Sequence, residues 1–521
     1  MQQSRLRAIY LLVFISIILS VHQWFNVEKQ YSLHEYPKGI GYPHTTYVDV
    51  EETGPVPIPV PVPPPPPLPV LCQPNECSTG KWVFRTSNPS GPGPFTSLSQ
   101  VQSVYANLWH PPWEKCPVIY DPVTGREFDE EEESDAEREE KKKLEGERFI
   151  ESLNWEWAPD RGLLLDYDPV EFVVRLLKSP GGLVLIGDSI TRQHWHAIYY
   201  TFRHLNITFD SNPKHLPLAD HPNVEQFVLS KSSAMTKILQ AKAGVPQSRM
   251  ERPFFTLFED HMLLSEEEIL EITKKNTMEG FNWNHKWRRV DKWEDHLKWL
   301  TMPRDGEEEA VGEDTLIMIN TGAHWSSHEL SMLRAPTDAE ERLLVTDTYT
   351  NMIDLVIARL SPFSRTSIYY RSTAPGHPQC NISQIPQSES EYEYEYENLV
   401  QRLQDMGTNP GDKKARIRWD WDLFEVHNGI WRRKIEGMER QGGTYDISEG
   451  MEAEQGQLTG AKWYYFDIWD MSLQRPDAHE QPGKDCLHWC LPSVFDEWTK
   501  LFHHRVRLEE SKNESQDLSG L

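Results

Sequence analysis

A turn of Gly187-Asp188-Ser189, set directly after the apolar run Leu183-Val184-Leu185-Ile186, and the distant segment DCLHWCLP starting at Asp485 carry between them a hydroxyl, an imidazole and a carboxylate. A serine hydroxyl is a weak nucleophile until an imidazole takes its proton. The imidazole does this best when a carboxylate fixes its tautomer and steadies its positive charge. Ser189 suits the nucleophile, His488 the base and Asp485 the orienting acid. Asp485 and His488 stand three apart, so one short loop or turn can aim both at the serine. A lone Gly-Asp-Ser is a weak signal, and this one lacks the G-x-S-x-G elbow of many hydrolases. Its setting strengthens it: an apolar strand precedes the serine and the helical-looking ITRQHWHAIYYTF follows. The Ser189 N–H would then open a helix N-terminus facing a developing oxyanion. Asp477 and His479 form a competing acid–imidazole pair, and packing between two cystines is the plain alternative for His488. Cys486 and Cys490 flank His488 and raise zinc, but only one histidine is local and no second Cys/His pair has suitable spacing. No metal site is expected.

These groups need elements to hold them. Apolar runs at Leu183–Ile186, Thr315–Asn320, Thr366–Tyr370 and Trp463–Ile468 read as buried strands. Between them, Asp338–Leu360 repeats its apolar residues near a 3.6-residue period and reads as a helix. Strands alternating with helices predict an α/β fold with a mainly parallel sheet and active residues at the C-terminal ends of its strands.

The chain has 521 residues, 38% of them hydrophobic, enough for one large catalytic domain with insertions or for two ordinary ones. Its net charge of −27 speaks against nucleic acid, whose phosphates attract clustered Lys and Arg. Arg5 and Arg7 precede a nearly unbroken apolar stretch, Ala8–Val21, with Trp24 and Phe25 after it. We expect residues 1–7 to be cytosolic and 8–25 to form a signal anchor, with the rest of the chain lumenal. A cleaved signal peptide or a buried segment are the alternatives. Residues 26–71 would be a stem, because PVPIPVPVPPPPPLP from Pro55 favours an extended polyproline rod. All six cysteines (Cys72, Cys77, Cys116, Cys380, Cys486, Cys490) follow the anchor, as three disulfides in an oxidising compartment would require. Sequons at Asn206, Asn381 and Asn513 are candidate glycosylation sites. Residues 129–148 hold eleven acidic and five basic side chains and read as a solvated insertion. EYEYEYE at 391–397 fits strand and helix alike, and 432–460 reads as a surface excursion.

Several dispersed blocks resemble the plant trichome-birefringence-like proteins and their fungal relatives, the PC-esterase group of the GDSL/SGNH superfamily. They are CSTGKWV from Cys77, NWEWAPD from Asn154, IGDSITRQHW from Ile186, INTGAHW from Ile319, YRSTAPGH from Tyr370, MSLQRPDAH from Met471 and DCLHWCLPSVFDEW ending at Trp498. They occur in the family's order, and together they are far more specific than any one of them. The resemblance spans about residues 72–505 and leaves 506–521 as a flexible tail. It implies a three-layer α/β/α SGNH domain in a Golgi or secretory-pathway membrane. It also implies O-acyl, above all O-acetyl, transfer to a polysaccharide or glycan hydroxyl through an acyl-serine. No bound cofactor is expected; the acyl donor, acetyl-CoA or another acetyl carrier, would be a co-substrate. Asp485 and His488, rather than Asp477 and His479, take the family's catalytic positions. Asn320 and the Ser189 N–H become oxyanion donors, while Arg192, His324, Trp325, Arg371 and His377 would line the cleft, with ordinary packing the alternative for each. The resemblance pairs Cys380 with Cys486, leaving Cys116 with Cys490 and Cys72 with Cys77. The chain departs from the pattern in lacking the extra cysteines around the tryptophan block and in ending its third block HWSS. Ester hydrolysis and noncatalytic glycan binding are the rival functions, and the oligomeric state is not legible.

Overall fold

The computed structural model describes residues 70–519 apart from 87–92, 98, 102–134, 282, 284–286, 379, 381–384, 387–418, 441–459 and 482–484. The expected anchor (8–25), nearly all of the stem (26–71), Cys116, Asn381 and the 391–397 stretch lie outside the described residues. Among the described residues no helix is long and apolar enough to cross a membrane.

A seven-stranded sheet forms the centre, built from β3 (Leu183–Gly187), β4 (Phe209–Ser211), β5 (Val224–Leu229), β6 (Phe255–Glu259), β7 (Thr315–Asn320), β8 (Thr366–Arg371) and β9 (Lys462–Phe466), in the order β4-β5-β6-β3-β7-β8-β9. β6, β3, β7, β8 and β9 run parallel, while β5 pairs antiparallel with both β4 and β6. The four inner strands β6, β3, β7 and β8 are buried along their whole length. That follows from sequence: LVLIG and TLIMIN are unbroken apolar runs, which suit a sheet covered on both faces.

Alternate residues of β3 enter different cores. Leu183 and Leu185 pack with Phe172, Val173 and Leu176 of α2 (Pro169–Leu177), with Ile198 and Phe202 of α3 (Ser189–His204), and with Phe495, Trp498 and Phe502 of α9 (Ser493–Ser519). Val184 and Ile186 pack on the other face with Ile269 of α5 (Glu266–Thr273), Leu297 of α6 (Trp293–Thr301), Tyr349, Met352 and Val356 of α7 (Asp338–Leu360), and Trp431 and Ile435 of α8 (Phe424–Arg440). The period of two in the strand sends one set of side chains to each helical layer. The result is a three-layer α/β/α arrangement, with α4 (Ala234–Ala243) beside α2.

Two smaller sheets attach to this body. β1 (Gly80–Phe84) pairs antiparallel with β2 (Trp155–Pro159), so the Cys77 and tryptophan blocks of the sequence are two strands of one ribbon. A carboxylate ties the ribbon to α9: Glu497 accepts from Arg85 Nη2 at 2.7 Å and from the Trp157 N–H at 3.2 Å. β10 (His479–Gln481) pairs antiparallel with β11 (Asp485–Trp489), its register shifting between His479 and Gln481.

Three segments expected at the surface are helical. The acidic run is helical from Asp135, within α1 (Asp135–Ser152), where Arg148–Glu145 and Lys143–Glu147 pairs link successive turns and Phe149 anchors the end in the core. The expected excursion from 432 instead continues α8 to Arg440, because its few apolar residues, Trp431, Ile435 and Met438, recur at helical spacing on one buried stripe. The tail expected from 506 is a continuation of α9, with Val506 buried and Glu510 bonded to Arg175.

Candidate active site

β3 ends at Gly187, and Asp188 caps α3 by accepting from the Ile190 N–H at 3.0 Å. Ser189 is therefore the first helical residue, its N–H beyond the reach of any intrahelical acceptor. Gly187 is required by close approach: a Cβ there would stand 2.2 Å from the Asn320 carbonyl oxygen and 2.5 Å from Thr191 Oγ1. The backbone turns sharply enough to present a partly exposed Ser189 at the C-terminal edge of the sheet.

Across from it, β11 supplies the other two groups. His488 Nε2 lies 2.7 Å from Ser189 Oγ, and His488 Nδ1 lies 2.7 Å from Asp485 Oδ2. The other carboxylate oxygen, Asp485 Oδ1, accepts the N–H groups of Leu487 and His488, each at 3.1 Å. The acid thus fixes both the backbone and the ring of the histidine. Burial works to raise the Asp485 carboxyl, but the His488 charge and the hydrogen bonds from His488 and Leu487 outweigh it and hold it well below the usual carboxylate range. Burial likewise works to lower His488, and the Asp485 charge and hydrogen bond more than offset it, so the imidazole titrates above its ordinary value. A ring with raised basicity, carrying its proton on Nδ1 toward the carboxylate, leaves Nε2 free to take the serine proton.

Neighbouring side chains brace this line. Gln193, one turn along α3 from Ser189, donates to the Trp489 carbonyl at 3.0 Å and accepts from the Trp489 N–H at 3.1 Å. It locks the strand bearing His488 onto the helix bearing Ser189. His479 Nδ1 lies 2.9 Å from the His488 carbonyl oxygen, and its Nε2 lies 2.7 Å from His377 Nδ1. His377 reaches the Leu473 carbonyl through Nε2 at 2.9 Å and the Cys486 carbonyl through its backbone N–H at 2.9 Å. At the register shift of β10 and β11 an imidazole therefore holds the carbonyl of His488. Gln193 and His479 were not singled out by sequence reasoning for this purpose. The signal available for Gln193 was its i+4 spacing from Ser189, which places both on one helix face.

The structure sorts the other expected residues. Arg192 and His324 lie at the same edge as Ser189 and are discussed below. Trp325 is fully buried, edge-on to Tyr349 in the helical layer beneath the sheet, and lines no cleft. Arg371 is also fully buried: it donates to Thr191 Oγ1 at 3.2 Å and Asn320 Oδ1 at 3.0 Å, and contacts His194 Nδ1 at 3.1 Å. It supports the first turn of α3 from behind; burial lowers its pKa to about 10, so it stays charged. His377 is buried as well and acts through His479. Asn320 departs from the expected oxyanion role, since Nδ2 donates to the Arg371 carbonyl at 2.9 Å and to Thr373 Oγ1 at 3.2 Å, which uses both amide protons. Asp477 is bonded to Arg475 at 2.9 Å and 3.0 Å, so the competing acid–imidazole pair is spent on structural partners.

Cys72–Cys77 and Cys380–Cys486 are disulfides, and Cys490 is also disulfide-bonded. The second bridge fixes β11 next to Asp485. Asn206 is exposed just after α3, and Asn513 lies within α9.

Residues 430–505 match the PC-Esterase family, described as a GDSL/SGNH-like acyl-esterase family found in Pmr5 and Cas1p. Protein trichome birefringence-like 39 of Arabidopsis thaliana is 44% identical over 46 residues, 8% of this chain and 12% of that protein. The matched part of this chain thus spans about an eighth of that relative's length. The similarity to the PC-Esterase family thus rests on residues 430–505. The family match contains Asp485 and His488 but not Ser189, which reaches them only through the fold.

Proposed function

From this PC-esterase framework we propose that the protein is a serine-dependent O-acyltransferase, acting foremost on acetyl groups and on polysaccharide or glycan hydroxyls. The observation that supports it is the continuous line Ser189 Oγ, His488 Nε2, His488 Nδ1, Asp485 Oδ2, with both contacts at 2.7 Å. In the first half-reaction His488 takes the Ser189 proton as Oγ bonds to the acyl carbonyl carbon. The Ser189 N–H at the start of α3 meets the oxyanion. His488 then gives its proton to the departing carrier, which leaves an acyl-serine. In the second, a sugar hydroxyl loses its proton to His488 and attacks the acyl-serine, and the proton returns to Ser189 Oγ as the sugar ester departs. The acyl carrier is a co-substrate such as acetyl-CoA. The sequence features of the N-terminal segment and the disulfides favour a lumenal active site in a secretory-pathway membrane such as the Golgi.

Water in place of the sugar gives ester hydrolysis by the same steps, and the family's description as acyl-esterase favours keeping that second reading. Incubating the chain with acetyl-CoA or p-nitrophenyl acetate and a panel of oligosaccharides, beside Ser189→Ala, tests the proposal. Acetylated saccharide should form with wild type only. Release of acetate indifferent to saccharide selects hydrolysis, and equal turnover by Ser189→Ala removes the nucleophile.

A further inference from the structure

A second group of side chains gathers at the sheet edge that presents Ser189. Glu259 closes β6 in register with Gly187, and the Asp260 N–H donates to the Gly187 carbonyl at 2.8 Å. The buried Glu259 carboxylate is shared by two arginines: Arg192, one turn along α3 from Ser189, at 2.9 Å, and Arg288 at 2.6 Å. His261 follows two residues later, its Nε2 3.6 Å from Glu259, and its ring stacks on His324 with centroids 4.0 Å apart and planes 15° apart. Trp419, partly exposed, stands edge-on to His324 at 5.2 Å.

Nothing in the acyl-serine mechanism uses these residues, yet they are built to stay in place. The Asp260 carboxylate accepts from the N–H groups of Met262, Leu263 and Val290, the His261 N–H donates to the Arg288 carbonyl at 3.0 Å, and Thr321 Oγ1 donates to the His261 carbonyl at 2.7 Å. Three loops are thereby sewn together around the pair of imidazoles. Both ring nitrogens of His261 and Nδ1 of His324 are buried without a hydrogen bond among the described residues. Leaving such groups unpaired costs about 1–3 kcal/mol each, so a ligand supplying hydroxyls there would be rewarded. Charge narrows the ligand. The carboxylates of Glu259 and Glu329 offset the guanidiniums of Arg192 and Arg288, so the group has no net positive charge to attract a phosphate or a carboxylate. A neutral polyol fits better: its hydroxyls both donate and accept, and its ring carbons can lie against Trp419.

We infer that Arg192, Glu259, His261, Arg288, His324 and Trp419 form the subsite for the sugar whose hydroxyl accepts the acyl group, and that its ligand is an uncharged saccharide. This rests on the acyltransferase reading for its purpose but not for its test. The Ser189→Ala chain is titrated with β-1,4-xylotetraose and β-1,4-mannotetraose, following tryptophan fluorescence and heat, with coenzyme A as the anionic comparison. At least one tetrasaccharide should bind, and adding Arg288→Ala or His261→Gln should weaken it at least tenfold without weakening coenzyme A. In the chain with Ser189 intact, Arg288→Ala should lower acetyl transfer to that saccharide at least tenfold relative to p-nitrophenol release from p-nitrophenyl acetate. Arg288 is the variant of choice because its side chain is 44% exposed and contributes little to the core. The inference fails if neither saccharide binds, if the variants bind as the parent does, or if transfer and p-nitrophenol release fall by one common factor. Turnover by Ser189→Ala equal to wild type would instead overturn the acyltransferase reading, and the saccharide titration would still decide the subsite.

Discussion

Replacing Asp485 with asparagine should disable the site while leaving its shape nearly intact. The carbonyl oxygen of the new amide can still accept the Leu487 and His488 N–H groups that Asp485 Oδ1 holds at 3.1 Å. The amide nitrogen then faces His488 Nδ1, the atom that stands 2.7 Å from Asp485 Oδ2. Two donors cannot share that contact, so the imidazole moves its proton to Nε2 and points an N–H at Ser189, which leaves no base. The Asp485 charge that raises the basicity of His488 is lost as well. In serine proteases the same exchange lowers kcat by roughly 10⁴. Because Asp485 is partly exposed and water can relieve some of the mismatch, we expect a fall of about 10³–10⁴ here, or ~4–5.5 kcal/mol of transition-state stabilisation at 1.36 kcal/mol per decade. The assay is the pre-steady-state burst of p-nitrophenol from p-nitrophenyl acetate, with KM measured alongside. KM should change little and the melting temperature by only a few degrees. A loss under tenfold, or a loss wholly in KM, would refute the assignment of Asp485 as the orienting acid.

Three further outcomes follow from the same geometry. His488 must be neutral to accept the serine proton and titrates above its ordinary value, so kcat/KM should rise with pH through a limb above ~6.5 that moves down in any residual activity of Asp485→Asn. The sign for stability is opposite. A raised histidine stabilises the fold below its unfolded pKa and loses that contribution as pH climbs through the folded value, which thermal melts across the same range should register. Gln193→Leu strands the Trp489 N–H and carbonyl, which should cost about 1–3 kcal/mol in chemical denaturation and lower kcat more than it raises KM. Cys380→Ser opens a loop with a sequence separation of 106, worth about 4–5 kcal/mol on the loop-entropy account, so the melting temperature should fall markedly, and reducing agent on the wild type, which opens the other bridges as well, should lower it at least as far.

Most of the architecture was legible because its signals are local. Thr315–Asn320 is a strand with the expected limits, and Asp338–Leu360 a helix with the expected limits, since an unbroken apolar run and a 3.6-residue repeat depend only on neighbouring residues. β5 and β6 escaped notice: VEQFVL and FTLFE mix polar residues into short runs, and only the sheet shows that both are buried strands. Charge misled at 135–148 and 506–519, where helical pairing of side chains one turn apart offsets a polar composition.

The sequence by itself determined the chemistry on offer: a serine after a strand, a carboxylate and an imidazole three residues apart, and cysteines placed to fix them. Tertiary structure decided which of several candidates could meet. Arg371, Asn320 and His377, plausible cleft residues by type, are turned inward because each completes a buried hydrogen-bond set behind α3 or β11. Glu259 and His261, silent in the sequence, arrive beside Ser189 because β6 is the parallel neighbour of β3 and ends level with it, and Arg288 is drawn to them by the His261 N–H and the Glu259 carboxylate. Residue type sets what a side chain can do, but strand order and register set what it stands beside, and those depend on pairings hundreds of residues apart that no local pattern encodes.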